Sequence, residues 1–409
     1  MAQESVAANP ESTSRRIMIP GLASGHATFH WILQSFAVAL PEIQMGFGLN
    51  SVGAAGIMSA RELAAGLIAL PGGVVVDILR RYWGLLLAGC LGLAALGSLV
   101  MGVSPIYSLL LIGIGVVAIS HSVWHLPASA SLSYHFAERR GTALSFHGVG
   151  GSIGDVVGPL ATGALLAVLG WKQLLSIYAI PPFFLGFMAV WAFRRIGHVT
   201  AEFGTPADPP TMARRMEMTQ RLLRSPVLWG LTFVRGLRSM ALVSLVTVIP
   251  LYLGNELEMG PWWRGFHVSL LIIVGLLAKT AAGYLSDRWG RKQVLVPGLV
   301  WSCLVALAMV AFNDGIALTI AIALLGLFLY PDQPILTAAV FDVIGREVAS
   351  TGLGVVACIA FLMSAGSALV AGAIYETMGF TETMYYIAAL FALAAVVFGM
   401  LPLSRRAAE

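Results

Sequence analysis

Apolar residues run along this chain in long blocks, separated by short polar joints rich in glycine, proline and arginine. A helix that crosses a bilayer needs about 20 mostly apolar residues. Twelve stretches meet that demand: 17–45, 51–76, 83–103, 106–134, 142–168, 172–193, 227–253, 264–286, 293–312, 315–341, 351–375 and 383–403. They are labelled α1–α12 in that order. The longest joint, 194–226, divides them six and six.

This pattern predicts an all-α membrane protein with a polar, disordered N-terminus (1–16), an N-terminal six-helix bundle (17–193), a linker (194–226), a C-terminal six-helix bundle (227–403) and a short tail (404–409). The linker holds Pro206, Pro209 and Pro210, then TMARRMEMTQRLLR, whose arginines share one side of a helical pattern. It reads either as a helix lying on the membrane surface or as a disordered tether. Arg15-Arg16 resembles a twin-arginine signal, but a multi-spanning pattern follows instead of a short apolar core with a cleavage site.

Composition agrees. The chain is 58% hydrophobic and 11% charged, where soluble domains carry about 25% charged residues. Cys90, Cys303 and Cys358 lie apart in apolar runs, so neither a disulfide framework nor a thiolate metal site is expected. The net charge of +4 is explained by where the cations sit. With both termini in the cytoplasm, eighteen of the 24 Lys and Arg residues fall in cytoplasmic segments, and only Lys172 and Arg264 fall outside. This is the positive-inside bias of a cytoplasmic (inner) membrane protein, and it makes nucleic acid an unneeded partner.

The two halves repeat. GGVVVDILRRYWG after α2 matches AGYLSDRWGRKQVL after α8, Gly73 and Asp77 aligning with Gly283 and Asp287. Glu138, Thr142 and Leu144 align with Glu347, Thr351 and Leu353 at nearly the same offset. Each half is therefore a six-helix unit in the same orientation.

The second loop resembles the G-x-x-x-D-[RK]-x-G-R-[RK] signature of the major facilitator superfamily (MFS), through Gly283, Asp287, Arg288, Gly290, Arg291 and Lys292. The first loop is a weaker copy that keeps Gly73, Asp77 and Arg81. These residues read either as a gate, with the aspartate capping a helix or pairing with an arginine, or as an anchor of topology. In α5, Gly154, Gly158, Pro159 and Gly163 resemble the glycine signature of MFS antiporters, with Thr162 in place of one glycine. The α4–α5 stretch, together with His26, resembles the fosmidomycin-resistance type of exporter. That group typically has aspartate where this chain has His30. The resemblance implies two six-helix bundles related by a pseudo-twofold axis around a central path. In that fold α1, α4, α7 and α10 line the path, and α3, α6, α9 and α12 are peripheral.

The polar residues inside the apolar runs fit that implication. They are His26 and His30 on α1, Arg61 and Glu62 on α2, His121 and His125 on α4, and His147 and Asp155 on α5. In the second half they are Arg235 and Arg238 on α7, Lys279 on α8, and Asp332 on α10 between Pro331 and Pro334. None lies inside a peripheral helix. Ionisable groups are costly in lipid and face protein or a water-filled cavity. The i, i+4 spacing puts each histidine pair on one helix face, where it could carry protons, bond substrate, or pack as structure.

Arg61, Arg235 and Arg238 are candidates for an anion, because a guanidinium forks onto a carboxylate or phosphonate. Each also has a structural reading: Arg61 paired with Glu62 or Asp155, Arg235 reaching towards the cytoplasm, and Asp332 as a counter-ion of α7 or a cap on a broken α10. Lys279 is expected to reach the membrane surface or pair with a loop.

The expectation is a proton-coupled MFS transporter for a small organic anion or drug-like solute, monomeric and without a cofactor, with export by antiport preferred. Two alternatives stand: an exporter of nickel, zinc or iron through His26, His30, His121 and His125, and an uptake symporter of a small carboxylate. No GxxxxGK[ST] occurs, so ATP-driven transport is excluded, and nothing assembles a catalytic set.

Overall fold

The computed structural model describes residues 10–194, 196, 220, 223–344 and 349–403, and no strand occurs among them. In the first half, α1 spans Pro10–Phe47, α2 Ser51–Ile78, α3 Trp83–Val103, α4 Tyr107–His135 and α5 Arg140–Leu166, followed by α6a (Trp171–Ile177) and α6b (Ile180–Ala192). In the second, α7 spans Pro226–Asn255, α8 Pro261–Trp289, α9 Arg291–Ala311, α10a Gly315–Leu329, α10b Asp332–Ile344, α11 Ala349–Met378 and α12 Phe380–Met400. Eleven spans are long and apolar enough to cross a membrane. The 38-residue α1 has the length; its histidines and other polar residues lower its hydropathy.

Helix ends follow local chemistry. Ser225 caps α7, its hydroxyl accepting from the Leu228 N–H at 3.3 Å, with Pro226 in the first turn. Gly290 adopts φ 105° at the α8–α9 joint, a conformation that costs glycine little. Two expectations shift. Helix α1 starts at Pro10 rather than near residue 17, and α6 is split at Tyr178–Ala179. The expected break of α10 falls just before Asp332. Most of the 194–226 linker, where a surface helix or a tether is expected, lies outside the described residues, as does the side chain of Asp77.

Packing repeats with a six-helix offset. Helix α1 packs on α5 as α7 packs on α11, α2 on α4 as α8 on α10a, and α3 on α6b as α9 on α12. Between the bundles, α2 meets α11 and α5 meets α8. Helix α7 lies deepest: 83% of its membrane window is buried, against 33–56% for the other ten windows. The peripheral helices instead expose large apolar side chains, among them Phe183, Phe187 and Trp191 on α6b and Leu304 on α9. Such an apolar exterior suits lipid, which hydrogen-bonds nothing.

The bundles are latched at the end away from the Asp287 loop. Arg264 pairs there with Glu42. Asn255 Nδ2 donates to Gln44 Oε1 at 2.8 Å, and the Ser51 N–H to Glu376 Oε2 at 2.7 Å. Further in, Ser269 Oγ donates to the Val156 carbonyl at 2.8 Å. At the opposite end Asp287 pairs with Arg291, the second of the two contacts open to it from sequence. Arg291 also reaches Asp342 on α10b, Nε to Oδ2 at 3.3 Å. Lys292 Nζ donates to the Gly399 carbonyl at 2.9 Å. The loop thus ties α8, α9, α10b and α12 together. Lys279 is exposed.

Candidate functional site

Glycines on α5 set the distance to α1. A Cβ at Gly150 would stand 2.2 Å from the Ala23 carbonyl oxygen, at Gly154 2.1 Å from that of Ala27, and at Gly158 3.0 Å from the Trp31 backbone. Residues four apart on one helix therefore meet residues four apart on the other, as in small-xxx-small packing. Gly151 leaves room for an imidazole, since a Cβ there would lie 2.6 Å from His26 Cε1. The far end of the motif serves another neighbour. A Cβ at Gly163 would stand 2.6 Å from the Pro261 carbonyl oxygen, and one at Gly265 2.4 Å from that of Pro159, both across the α5–α8 contact.

A substitution follows from this. Gly154→Ala forces two backbones apart and is expected to cost about 1–3 kcal/mol, read as a lowered unfolding temperature in detergent. On the same helix, Gly148→Ala, whose Cβ would meet no neighbouring atom within 4 Å, is expected to leave it unchanged.

Five imidazoles gather between α1, α4 and α5. His26 stacks on His147, with ring centroids 4.2 Å apart and planes at 12°. It meets His30 and His125 edge-on at 4.5 and 4.7 Å. His121 and His125, one turn apart, bring their Nε2 atoms to 2.9 Å. His26 Nδ1 lies 2.7 Å from the His147 carbonyl oxygen, and His30 Nδ1 lies 2.7 Å from Asp155 Oδ1. Both acceptors require a proton on Nδ1, so in the neutral rings Nε2 carries a lone pair. Both Nε2 atoms are buried without a partner, as are both ring nitrogens of His147.

A cavity of about 230 Å³ lies beside this cluster between the bundles. The first bundle contributes His30, Gln34, Arg61, Glu62, His121 and Asp155 to its wall. The second contributes Arg235, Arg238, Tyr330 and Gln333. His26, His125 and His147 stand behind the wall rather than in it.

The guanidiniums differ in what they are tied to. Arg61 donates from Nε and Nη2 to Glu62 Oε1 at 3.0 and 2.7 Å. Arg238 is 4% exposed and staples the break in α10. Its Nε donates to Asp332 Oδ2 at 2.7 Å, and its Nη2 to the Leu329 carbonyl, left without a helical partner where α10a ends. Arg235 is half-buried and donates from Nη1 to Thr337 Oγ1 at 3.1 Å. Among the described residues no carboxylate pairs with it.

Two participants were not singled out from sequence. Gln34, whose Nε2 donates to Asp155 Oδ1 at 3.1 Å, extends the His26–His30 series by one more step of four, a signal that could have found it. Tyr330 carries no such signal; it is placed by the α10 break. His267, also unremarked, is held by the Trp263 carbonyl and Thr319 Oγ1 at 2.7 and 2.9 Å and joins α8 to α10a.

Comparison with known proteins agrees with this architecture. The family model of the Major Facilitator Superfamily matches residues 22–278 and 265–409. The MFS-type transporter YfnC of Bacillus subtilis (strain 168) is 24% identical over 320 residues, 77% of this chain and 76% of its own. The hexuronate transporter of Escherichia coli (strain K12) is 24% identical over 418 aligned positions, 94% of this chain and 93% of its own. Among solved structures, an inward-facing bacterial homologue of the human lysosomal transporter Spinster superposes with a TM-score of 0.79 at 14% identity, over 95% of this chain and 97% of that one. With both bundles matched and the fold shared, the chain belongs to the Major Facilitator Superfamily and is a multi-pass membrane transporter, not an enzyme.

Proposed function

We propose that this transporter moves a small organic anion together with a proton through the cavity between its bundles. The observation that carries the reading is the charge of the cavity. Arg61, Arg235 and Arg238 are matched in number by Glu62, Asp155 and the Asp332 partner of Arg238. With neutral histidines the site has no formal net charge. Arg61 and Arg238 are each tied to a carboxylate, which leaves Arg235 facing His30–Asp155 across the cavity.

An added proton would go to the free Nε2 of His30 and turn its contact with Asp155 into an ion pair. The site then carries one positive charge, centred on Arg235, and a monoanion restores neutrality. In a low-dielectric cavity that match favours loading proton and anion together. The volume supports a small solute, because drug-sized ligands fill cavities of about 300–1,000 Å³. The hexuronate carried by one relative is an anion of this class.

Co-loading moves proton and anion in the same direction, so we take symport over the antiport that the α5 glycines suggested. Those glycines have a sufficient role in holding α1 and α8. Under the positive-inside orientation the Asp287 loop faces the cytoplasm, and both termini lie there in the cytoplasmic membrane. The Glu42–Arg264 latch then seals the outer face, and the conformation is inward-facing. Alternating access requires that latch to open while the Asp287 side closes. One chain supplies both bundles and the cavity between them, so a monomer is sufficient for the cycle.

The test is the pH dependence of transport. If each anion loads with one proton, linkage makes the apparent KM rise about tenfold per pH unit above the range where the site histidine titrates. His30→Gln is expected to flatten that slope while the protein still reaches the membrane. The same slope in the variant as in the wild type would overturn the coupling role of His30.

A further inference from the structure

We infer that His26, His30, His121 and His125 form a binding site for a divalent transition metal of the zinc, cobalt and nickel class. The inference concerns the histidine cluster that borders the cavity and does not rest on the anion reading.

The donor set carries the argument. Each of the four offers one ring nitrogen, and these atoms all lie within 4.8 Å of one another. Four imidazoles on a tetrahedral ion at about 2.0–2.1 Å stand about 3.3–3.4 Å apart, so closure needs side-chain adjustments of about an ångström. Two donors come from each of two helices, both pairs with one-turn spacing. The two helices approach closely beside the cluster, where a Cβ at Gly25 of α1 would stand 2.4 Å from the Trp124 ring of α4.

The outer contacts of the cluster are those of a metal site. A ligating histidine characteristically donates its other N–H to a carbonyl or carboxylate, which fixes the tautomer and aims the lone pair. His26 does so to the His147 carbonyl and His30 to Asp155, each at 2.7 Å. Their Nε2 lone pairs are left buried and unpartnered. Buried polar atoms are nearly always satisfied, and here the missing partner is an acceptor of lone pairs. A cation meets that need at both positions at once. Neutral imidazoles without thiolates select borderline ions such as Zn²⁺, Co²⁺ and Ni²⁺ over Ca²⁺ or Mg²⁺.

Access is through the cavity, since His30 and His121 belong both to its wall and to the cluster. Asp155 offsets part of the positive charge that Arg61 and Arg235 place on that wall.

The experiment is titration of purified, chelator-treated protein in detergent with Co²⁺ alone, in buffer free of organic anions. The expected result is one equivalent of Co²⁺ with the intense visible bands of tetrahedral coordination, displaced by Zn²⁺. Asp155→Asn is expected to weaken binding about 10- to 100-fold, and His26→Gln with His125→Gln to abolish the bands. Should the double variant not fold, the wild-type spectrum and the Asp155→Asn shift decide the matter. Absence of tetrahedral bands in the wild type, an unchanged affinity in Asp155→Asn, or bands that survive in a folded double variant would overturn the assignment. Because no organic anion is present, these outcomes are independent of whether anion transport is found.

Discussion

Arg235→Ala is expected to lower kcat/KM for an anionic substrate about 100-fold while leaving the unfolding temperature near that of the wild type. Removing one side of a desolvated, hydrogen-bonded charge pair costs about 2–5 kcal/mol, and 100-fold corresponds to about 2.7 kcal/mol. The fold is spared because, among the described residues, Arg235 makes one side-chain bond, to Thr337. Arg235→Lys keeps the charge but loses the planar fork, so it should recover only part of the activity. Measured in proteoliposomes with matched protein content, equal loss with Ala and Lys would point to packing instead of charge. No loss at all would remove Arg235 from the binding site.

Arg238→Ala should do the opposite kind of damage. The pair it forms with Asp332 is 5% and 1% exposed at the two side chains, and Asp332 Oδ1 already lacks a partner. Removing the guanidinium strands a carboxylate and the terminal carbonyl of α10a together. Breaking a buried pair from one side costs about 3–5 kcal/mol, enough to cut expression or lower the unfolding temperature sharply. Arg238→Met combined with Asp332→Leu should recover much of that stability, because two apolar groups replace two charges. A stable, inactive Arg238→Ala would instead make Arg238 a contact of the substrate.

The contrast between these two arginines marks where sequence stops speaking. Both stand in α7, three residues apart, and both look like candidates for an anion. What separates them is Asp332, 94 residues away, and a helix end created by the α10 break. Pairings of that range depend on how bundles pack, and no local pattern encodes them. The Glu42–Arg264 latch, 222 residues apart in the chain, is equally silent in sequence.

Eleven of the twelve expected spans meet the length and apolarity that lipid imposes on a crossing segment, and α1 has the length. Asp332 between two prolines likewise announced the break in α10. The i, i+4 spacing gave each histidine pair its own face. That α1 and α4 bring these faces together depends on Gly25, where a Cβ would stand 2.4 Å from the Trp124 ring. Gly154, Gly158 and Gly163, whose spacing resembles the antiporter motif, also hold α5 close to α1 and α8.

The central claim is that anion and proton move together through one site, and lumenal pH tests it most directly. Proteoliposomes holding a pH-sensitive dye and an impermeant carboxylate such as gluconate would be diluted into carboxylate-free buffer. Co-transport predicts that the lumen turns alkaline as the anion leaves with protons, and that the change is absent in Arg235→Ala and in protein-free vesicles. Lumenal acidification would mean exchange of anion for proton and contradict symport. No pH change with any carboxylate or phosphonate would contradict the account altogether.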